Sequence, residues 1–158
     1  MKKSTFRVYL FFILLCELVG IIAGALTRES TMLYAETIIK PPLSPAAIVF
    51  PIVWTVLYAL MGIGAARVYL SNPSDERSKG LFFFVLQLAA NFLWSIIFFN
   101  AQAFGFAFLW ILFLWLLILG MIRNFSKVDK LAAYLQIPYL IWVTFAAYLN
   151  LGVYILNP

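Results

Sequence analysis

Five long apolar blocks dominate the sequence and strongly restrict the folds that the chain can adopt. They run over residues 8–26, 46–66, 81–99, 104–122 and 131–156. A helix needs about 20 mostly apolar residues to cross a bilayer, and inside lipid the backbone must satisfy its own hydrogen bonds. The blocks lack the polar–apolar alternation of barrel strands. The sequence therefore predicts an all-α membrane protein, a single bundle of five transmembrane helices.

The composition excludes the common soluble classes of protein. Only 11% of the 158 residues are charged, whereas an ordinary soluble domain has roughly 25%. No histidine is present, which removes the commonest general base and metal ligand. The single cysteine, Cys16, has no intrachain partner for a disulfide. We expect no conventional catalytic constellation, no metal site, no required cofactor and no nucleic-acid partner.

The Lys and Arg residues are distributed unevenly between the connections. Nine lie in the N-terminal tail and in the second and fourth connections, all on one side of a five-helix bundle. The opposite side has only Arg28 and Lys40. Because cytoplasmic connections are enriched in Lys and Arg, we expect the N-terminus in the cytoplasm and the C-terminus outside. Residues 27–45 then form the main extracytoplasmic loop.

That loop contains Pro41, Pro42 and Pro45. Prolines at this density favour a stiff, extended path over a helix. Loops of this length often serve as lids, although a plain connection between two helices fits the pattern equally well.

The first block has a second interpretation as a signal peptide, because basic residues precede an apolar run that ends in small residues. Glu17 interrupts the apolar run, and Gly20 and Gly24 have the spacing of a helix-packing face. We therefore interpret the block as a retained helix whose glycine face packs against another helix or forms a dimer. Glu17 is either a proton relay or a protonated structural group.

Three helices carry faces that do not suit lipid. The third block places amide and aromatic side chains on one face, and the second and fifth blocks carry aromatic rows at helical spacing. The members are Gln87, Asn91, Trp94, Ser95 and Phe98; then Phe50, Trp54 and Tyr58; then Tyr139, Trp142, Ala146, Leu149 and Asn150. These faces line a ligand cavity or simply hold the helices together.

Two further features concern the shapes and surroundings of individual helices. Pro51 predicts a bend within the second helix, and Pro138 marks either the start of the last helix or a kink in it. The fourth block has aromatic residues all round and no polar side chain, so we expect it to face mainly lipid. Trp110 and Trp115 are accordingly weaker site candidates.

Three motifs together resemble the TspO/translocator-protein family, the tryptophan-rich sensory proteins. The first is Lys40-Pro41-Pro42-x-x-Pro45 followed by Val49-Phe50-Pro51-x-x-Trp54-Thr55-x-Leu57-Tyr58-x-x-Met61-Gly62; the second is Gln87-Leu88-Ala89-x-Asn91-x-x-Trp94-x-x-x-Phe98-Phe99; and the third is Pro138-Tyr139-x-x-Trp142-x-x-Phe145-Ala146-x-x-Leu149-Asn150. Their order and spacing cover nearly the whole chain.

The resemblance implies a bacterial membrane receptor, often dimeric, for porphyrins such as protoporphyrin IX and for benzodiazepine-site drugs. It also implies light-dependent oxidative degradation of porphyrin in some members, for which Trp54 and Trp142 are the candidate reactive residues. The implied ligand site comprises Phe50, Trp54, Tyr58, Asn91, Trp94, Ser95, Trp142, Ala146 and Leu149.

Two other functional classes stay open at this point. A transporter of apolar small molecules fits the hydropathy, but only Glu17 is charged within the spans. A structural or partner-binding membrane protein fits the glycine face. The sterol motif of animal members is not matched, since no Lys or Arg follows Tyr154.

Overall fold

The computed structural model describes residues 3–158, which fold into a helical bundle. Its elements are α1 (Lys3–Thr37), α2 (Val49–Tyr69), α3 (Asp75–Ser95) with a following π-helical turn (Ile96–Asn100), α4 (Phe104–Val128), α5 (Lys130–Tyr134) and α6 (Ile137–Leu156). Within these described residues, five helical segments are long and apolar enough to cross a membrane, the fifth being Lys130–Leu156. The predicted fold class, a bundle of five transmembrane helices, is confirmed.

Helix α1 is longer than the apolar block that predicted it. It continues to Thr37, so residues 27–37 are helix, and the predicted loop 27–45 shrinks to residues 38–48. The hydroxyl of Thr27 donates to the carbonyl of Ala23 at 2.9 Å, which satisfies its polar group within the helix. No proline or glycine follows Gly24 before Pro41. The hydropathy therefore falls at residue 27 because the helix leaves a purely apolar environment, and the helix itself does not end there.

The two prolines that the sequence analysis placed in or near helices, Pro51 and Pro138, both lie in the first turn of a helix. Pro51 is in the first turn of α2, so the bend predicted within that helix is wrong. Pro138 is in the first turn of α6, which confirms the first of the two alternatives for that residue. In a first turn the missing N–H of proline has no intrahelical partner to lose. Both residues therefore begin a helix without distorting it.

Helix α4 packs between α3 and α6, which corrects the expectation that it faces mainly lipid. One face buries Ile111, Leu114 and Ile118. Trp110 Nε1 donates to the carbonyl of Ala90 on α3 at 2.8 Å, and Trp115 Nε1 donates to Thr144 Oγ1 on α6 at 2.9 Å. Hydropathy did not reveal this face because lipid and an apolar core select the same residues.

An ion pair joins α2 to the connection before α5. Arg67 Nη2 lies 2.7 Å from Asp129 Oδ2, and Asp129 also caps α5 by accepting a 3.0 Å hydrogen bond from the backbone N–H of Ala132. Burial raises the pKa of Asp129, but the hydrogen bonds from Ala132 and Arg67 and the charge of Arg67 outweigh it and leave the pKa below its ordinary value.

Candidate ligand-binding cavity

A cavity of about 470 Å³ lies between α1, α2, the end of α3 and α6. The connection 38–48, which we call the strap, covers one end of it through Lys40, Ser44, Pro45 and Ala47. Ligand sites generally occupy about 300–1,000 Å³ and are mostly apolar with a few polar groups. The cavity therefore has the size and character of a small-molecule site.

Most of the residues predicted to bind a ligand line this cavity. They come from three helices that are far apart in sequence, and they are Phe50, Trp54, Tyr58, Trp94, Ser95, Trp142, Ala146 and Leu149. Asn91 is not among the lining residues and is buried behind them. The structure thus brings the predicted set together, except for Asn91, while their binding role remains a prediction.

Aromatic rings form two walls of the cavity. On one side Phe50 of α2 packs edge-on against Trp142 of α6, with ring centroids 5.9 Å apart. Trp54 lies 5.5 Å from the ring of Tyr58. Toward the strap end, Trp94 stacks on Phe98 at 5.1 Å. Aromatic faces at these positions offer stacking surfaces for a flat ligand.

Asn91 belongs to a buried hydrogen-bond network behind the α2 wall. Its Nδ2 donates to Tyr139 Oη at 2.8 Å, and that hydroxyl donates to Gln87 Oε1 at 2.7 Å. Tyr58 Oη approaches Asn91 Oδ1 at 3.5 Å. Asn91 therefore lies against Tyr58 from behind the cavity wall, and the interpretation of the amide face as helix packing fits Gln87 and Asn91.

Two cavity tryptophans differ in how their indole N–H groups are satisfied. Trp94 Nε1 donates to Asn150 Oδ1 at 3.1 Å, and Asn150 Nδ2 donates to the carbonyl of Phe104 at 2.8 Å. This chain fixes Trp94. Trp142 Nε1 is buried and has no hydrogen-bond partner among residues 3–158. A buried donor without a partner is costly. The indole N–H of Trp142 is therefore available to donate a hydrogen bond to a ligand.

The glycine face of α1 also borders the cavity. A Cβ atom added to Gly20 would lie 2.7 Å from Cδ2 of Tyr58, so this glycine permits close packing of α1 on α2 within one chain. A Cβ added to Gly24 would have no neighbour within 4 Å. The use of this face in a dimer stays a prediction.

The sequence reasoning missed part of the α1 wall. Thr27, Thr31 and Tyr34 line the cavity, but they fell in the stretch that was predicted to be a loop. Their spacing of four and three residues continues the face of Gly20 and Gly24. That periodicity could have predicted a longer α1, but the drop in hydropathy at residue 27 indicated a loop instead.

Two charged side chains lie at opposite ends of the α1 wall. Glu17 borders the deep end, and Lys40 borders the strap end. Lys40 Nζ donates to the carbonyl of Ala35 at 3.0 Å and lies 5.6 Å from the ring centroid of Tyr34. Within the described residues, no three His, Cys, Asp or Glu side chains come together as a metal site.

The fold and the cavity define a class: an integral membrane protein of five helices that contains an aromatic-walled cavity. Residues 12–156 match the TspO/MBR family, and the chain belongs to that family. Tryptophan-rich protein TspO of Chlorobaculum tepidum is 37% identical over 145 residues, covering 91% of this chain and 92% of the relative.

Further relatives include a second bacterial protein and an animal one. Protein CrtK of Rhodobacter capsulatus is 39% identical over 124 residues, covering 78% of each chain. The translocator protein of Bos taurus is 30% identical over 141 residues, covering 88% of this chain and 83% of the relative. The resemblance drawn from the three motifs is therefore confirmed at the level of the family.

Proposed function

We propose that the chain is a membrane receptor for flat, largely apolar ligands, with porphyrins such as protoporphyrin IX as the main class and benzodiazepine-site compounds as a second. The observation that carries this proposal is the convergence of Phe50, Trp54 and Trp142 on one cavity. Their rings provide stacking area on two sides. A planar aromatic macrocycle is the ligand chemistry that such walls suit best.

The polar groups of the cavity support the same class. Lys40 at the strap end carries three donors, of which one is bonded to Ala35, so it has donors free for a carboxylate at the edge of a porphyrin. Trp142 Nε1 has no hydrogen-bond partner in the described part of the chain and is free to donate to a ligand acceptor. Both features favour a ligand with an apolar body and acidic edge groups.

A receptor fits the geometry better than a transporter. The lining residues extend from the strap only to Glu17 and Tyr58. Below that level α1 and α2 are in contact, because a Cβ on Gly62 would lie 2.6 Å from Cα of Ile13. The cavity thus reaches part of the way along the bundle, as a binding site does.

A bound porphyrin would also be placed for photochemistry. An excited porphyrin passes energy or an electron to dioxygen and takes an electron from a neighbouring indole, and Trp54 and Trp142, like Trp94, are oxidisable indoles of the wall. We propose that they promote light-dependent oxidative degradation of the ligand, with dioxygen as the oxidant.

Titration of the purified protein with protoporphyrin IX in lipid nanodiscs tests the receptor proposal through tryptophan quenching. Ala146, which lines the cavity beside Trp142, supplies the test variant. Ala146→Phe should raise Kd by about tenfold or more, about 1.4 kcal/mol. Ile141→Phe, at a position on α6 that is 64% exposed, is the matched control and should bind normally. Non-saturable binding, or equal binding by both variants, would contradict the proposal.

A further inference from the structure

Helices α1 and α2 touch only along part of their length. At the end away from the strap, Gly62 lies against the backbone of Phe12 and Ile13, where an added Cβ would meet Phe12 O at 2.8 Å. Gly20 lies against the ring of Tyr58. These two glycine contacts close the interface between the helices below the cavity.

Above Gly20 the two helices separate. Gly24 has open space where its Cβ would be, and α1 leans instead on the π-helical turn. There Asn100 Nδ2 donates to the carbonyl of Leu26 at 3.1 Å, and Tyr34 packs edge-on against Phe99 at 5.4 Å. The upper half of α1 is therefore held by α3 and leaves a gap on its α2 side.

Residues that border this gap both line the cavity and are exposed on the outer surface of the bundle. On α1 they include Ile21, which is 65% exposed, and Thr31; on α2 they include Pro51 and Thr55. Ile21 and Thr55 lie within the apolar blocks 8–26 and 46–66, so the medium outside this part of the surface is lipid. We call this opening the lateral gap.

The strap, in contrast, is fastened across the aqueous end of the cavity. Asn157 at the end of α6 makes two hydrogen bonds with Ile39, accepting from its N–H at 3.0 Å and donating to its carbonyl at 2.9 Å. Tyr148 Oη donates to the carbonyl of Pro42 at 2.9 Å. Pro41 packs on Gly152, where an added Cβ would come within 2.5 Å of Pro41 Cβ.

We infer that ligand enters and leaves the cavity sideways, through the lateral gap between α1 and α2, from the lipid leaflet on the strap side. The strap stays docked on α6 during this exchange. The ligand class is accordingly a largely apolar molecule that is already dissolved in the bilayer. Release past the strap would require its hydrogen bonds to α6 and the packing of Pro41 on Gly152 to break together, whereas among residues 3–158 no hydrogen bond joins α1 to α2 across the lateral gap.

The identity of the ligand rests on the proposed function. The route is tested by crosslinking the lateral gap in one variant and the strap anchor in another. In a Cys16→Ala background, one variant carries Gly24→Cys with Thr55→Cys across the lateral gap. A second carries Ile39→Cys with Asn157→Cys across the strap anchor. Both pairs are bridged with a reducible bifunctional thiol reagent, and protoporphyrin IX is exchanged between loaded and empty vesicles.

Bridging the lateral gap should slow association and dissociation by about tenfold or more each, with little change in Kd, because a blocked passage affects both rates equally. Reduction of the bridge should restore both rates. Bridging the strap anchor, whose residues do not line the cavity, should leave the rates unchanged. Slowing by the strap bridge alone, or by neither bridge, would overturn the inference.

A readout without porphyrin separates the route from the proposed function. Lipids brominated in their acyl chains should quench the part of the tryptophan emission that Trp54→Phe removes, because Trp54 lies in the cavity behind the lateral gap. The bridged Gly24→Cys/Thr55→Cys protein should lose this quenching. Quenching without porphyrin binding would refute only the receptor proposal, whereas absence of quenching would refute the lateral gap.

Discussion

The hydroxyl of Tyr139 donates a 2.7 Å hydrogen bond to Oε1 of Gln87, and both residues are fully buried. The same hydroxyl accepts a hydrogen bond of 2.8 Å from Asn91 Nδ2. One phenol of α6 therefore satisfies two amide side chains of α3 at membrane depth, where unpaired polar groups are costly. The pairing fixes the two helices that form the back of the cavity.

Tyr139→Phe should lower the free energy of unfolding by about 1–3 kcal/mol, because it leaves two buried amide groups with an unsatisfied atom each. Chemical denaturation in detergent micelles measures this change. Tyr134→Phe is the matched control, since Tyr134 is 66% exposed, and it should change stability by less than about 0.5 kcal/mol. Equal effects of the two substitutions would show that the network contributes nothing.

The cavity faces could be predicted from sequence because they depend on helical periodicity alone. Trp54 and Tyr58 are four residues apart on α2, and once α2 is a helix they must share a face. The same holds for Trp142 and Ala146 on α6. What periodicity does not determine is depth within the bundle, which is why Asn91 was assigned to the ligand and not to the network behind Tyr58.

The strap and the upper half of α1 could not be predicted in the same way. Thr31 lines the cavity from a stretch whose hydropathy does not mark it as a span, because it faces a polar-edged cavity and the membrane surface. The anchor between Ile39 and Asn157 joins residues that are 118 positions apart. No local sequence pattern encodes such a contact. The sequence therefore could not distinguish a proline-rich segment that only connects two helices from one that also covers the cavity.

Gly20 and Gly24 should respond differently to the same substitution. Gly20→Ala places a methyl group against the ring of Tyr58 and should destabilise the protein by about 1–3 kcal/mol. Gly24→Ala enters open space and should leave thermal stability unchanged or slightly raised. Because a Cβ on Gly24 meets nothing within 4 Å among residues 3–158, a loss of dimer in Gly24→Leu would report on contact between two chains. Equal destabilisation by both alanine variants would contradict the packing described for Gly20.

Asp129 should make the stability of the protein depend on acid pH. Its pKa is lower in the folded state than its ordinary value, since hydrogen bonds from Ala132 and Arg67 outweigh the effect of burial. The stabilisation is therefore present at neutral pH and is lost as pH falls below about 3.9, the unfolded value, and through the lower folded one. Asp129→Asn should cost about 1 kcal/mol at neutral pH and reduce this dependence. Exposed Asp75 provides the control through Asp75→Asn, and identical pH profiles of the two variants would refute the role of the ion pair.

The predicted orientation can be tested at two connections. In a Cys16→Ala background, Pro158→Cys places a thiol at the C-terminus, and Asn72→Cys places one in the exposed connection between α2 and α3. An impermeant maleimide should label Pro158→Cys in intact spheroplasts and Asn72→Cys only after lysis, because nine of the 11 Lys and Arg residues lie on the side of residue 72. The opposite labelling pattern would reverse the orientation.

Trp54 and Trp142 should be needed for porphyrin degradation more than for binding. Both line the cavity, and their indoles, with that of Trp94, are the most readily oxidised side chains of its wall. Trp54→Phe and Trp142→Phe should keep Kd within about tenfold, or 1.4 kcal/mol, because phenylalanine keeps much of the stacking area. The light-dependent loss of protoporphyrin IX, followed by absorbance and product analysis, should nevertheless slow sharply in both.

Trp115 supplies the matched control for this photochemistry. Its Nε1 donates to Thr144 on the outer side of α6 at 2.9 Å, and it is not among the residues that line the cavity. Trp115→Phe removes an indole of the same chemistry without touching the site, so binding and degradation should both be unchanged. Equal slowing in all three variants would indicate photo-oxidation throughout the protein. Unchanged degradation in Trp54→Phe and Trp142→Phe would refute the proposed reactive role of these two residues. It would not affect the binding proposal, which the protoporphyrin IX titration tests separately.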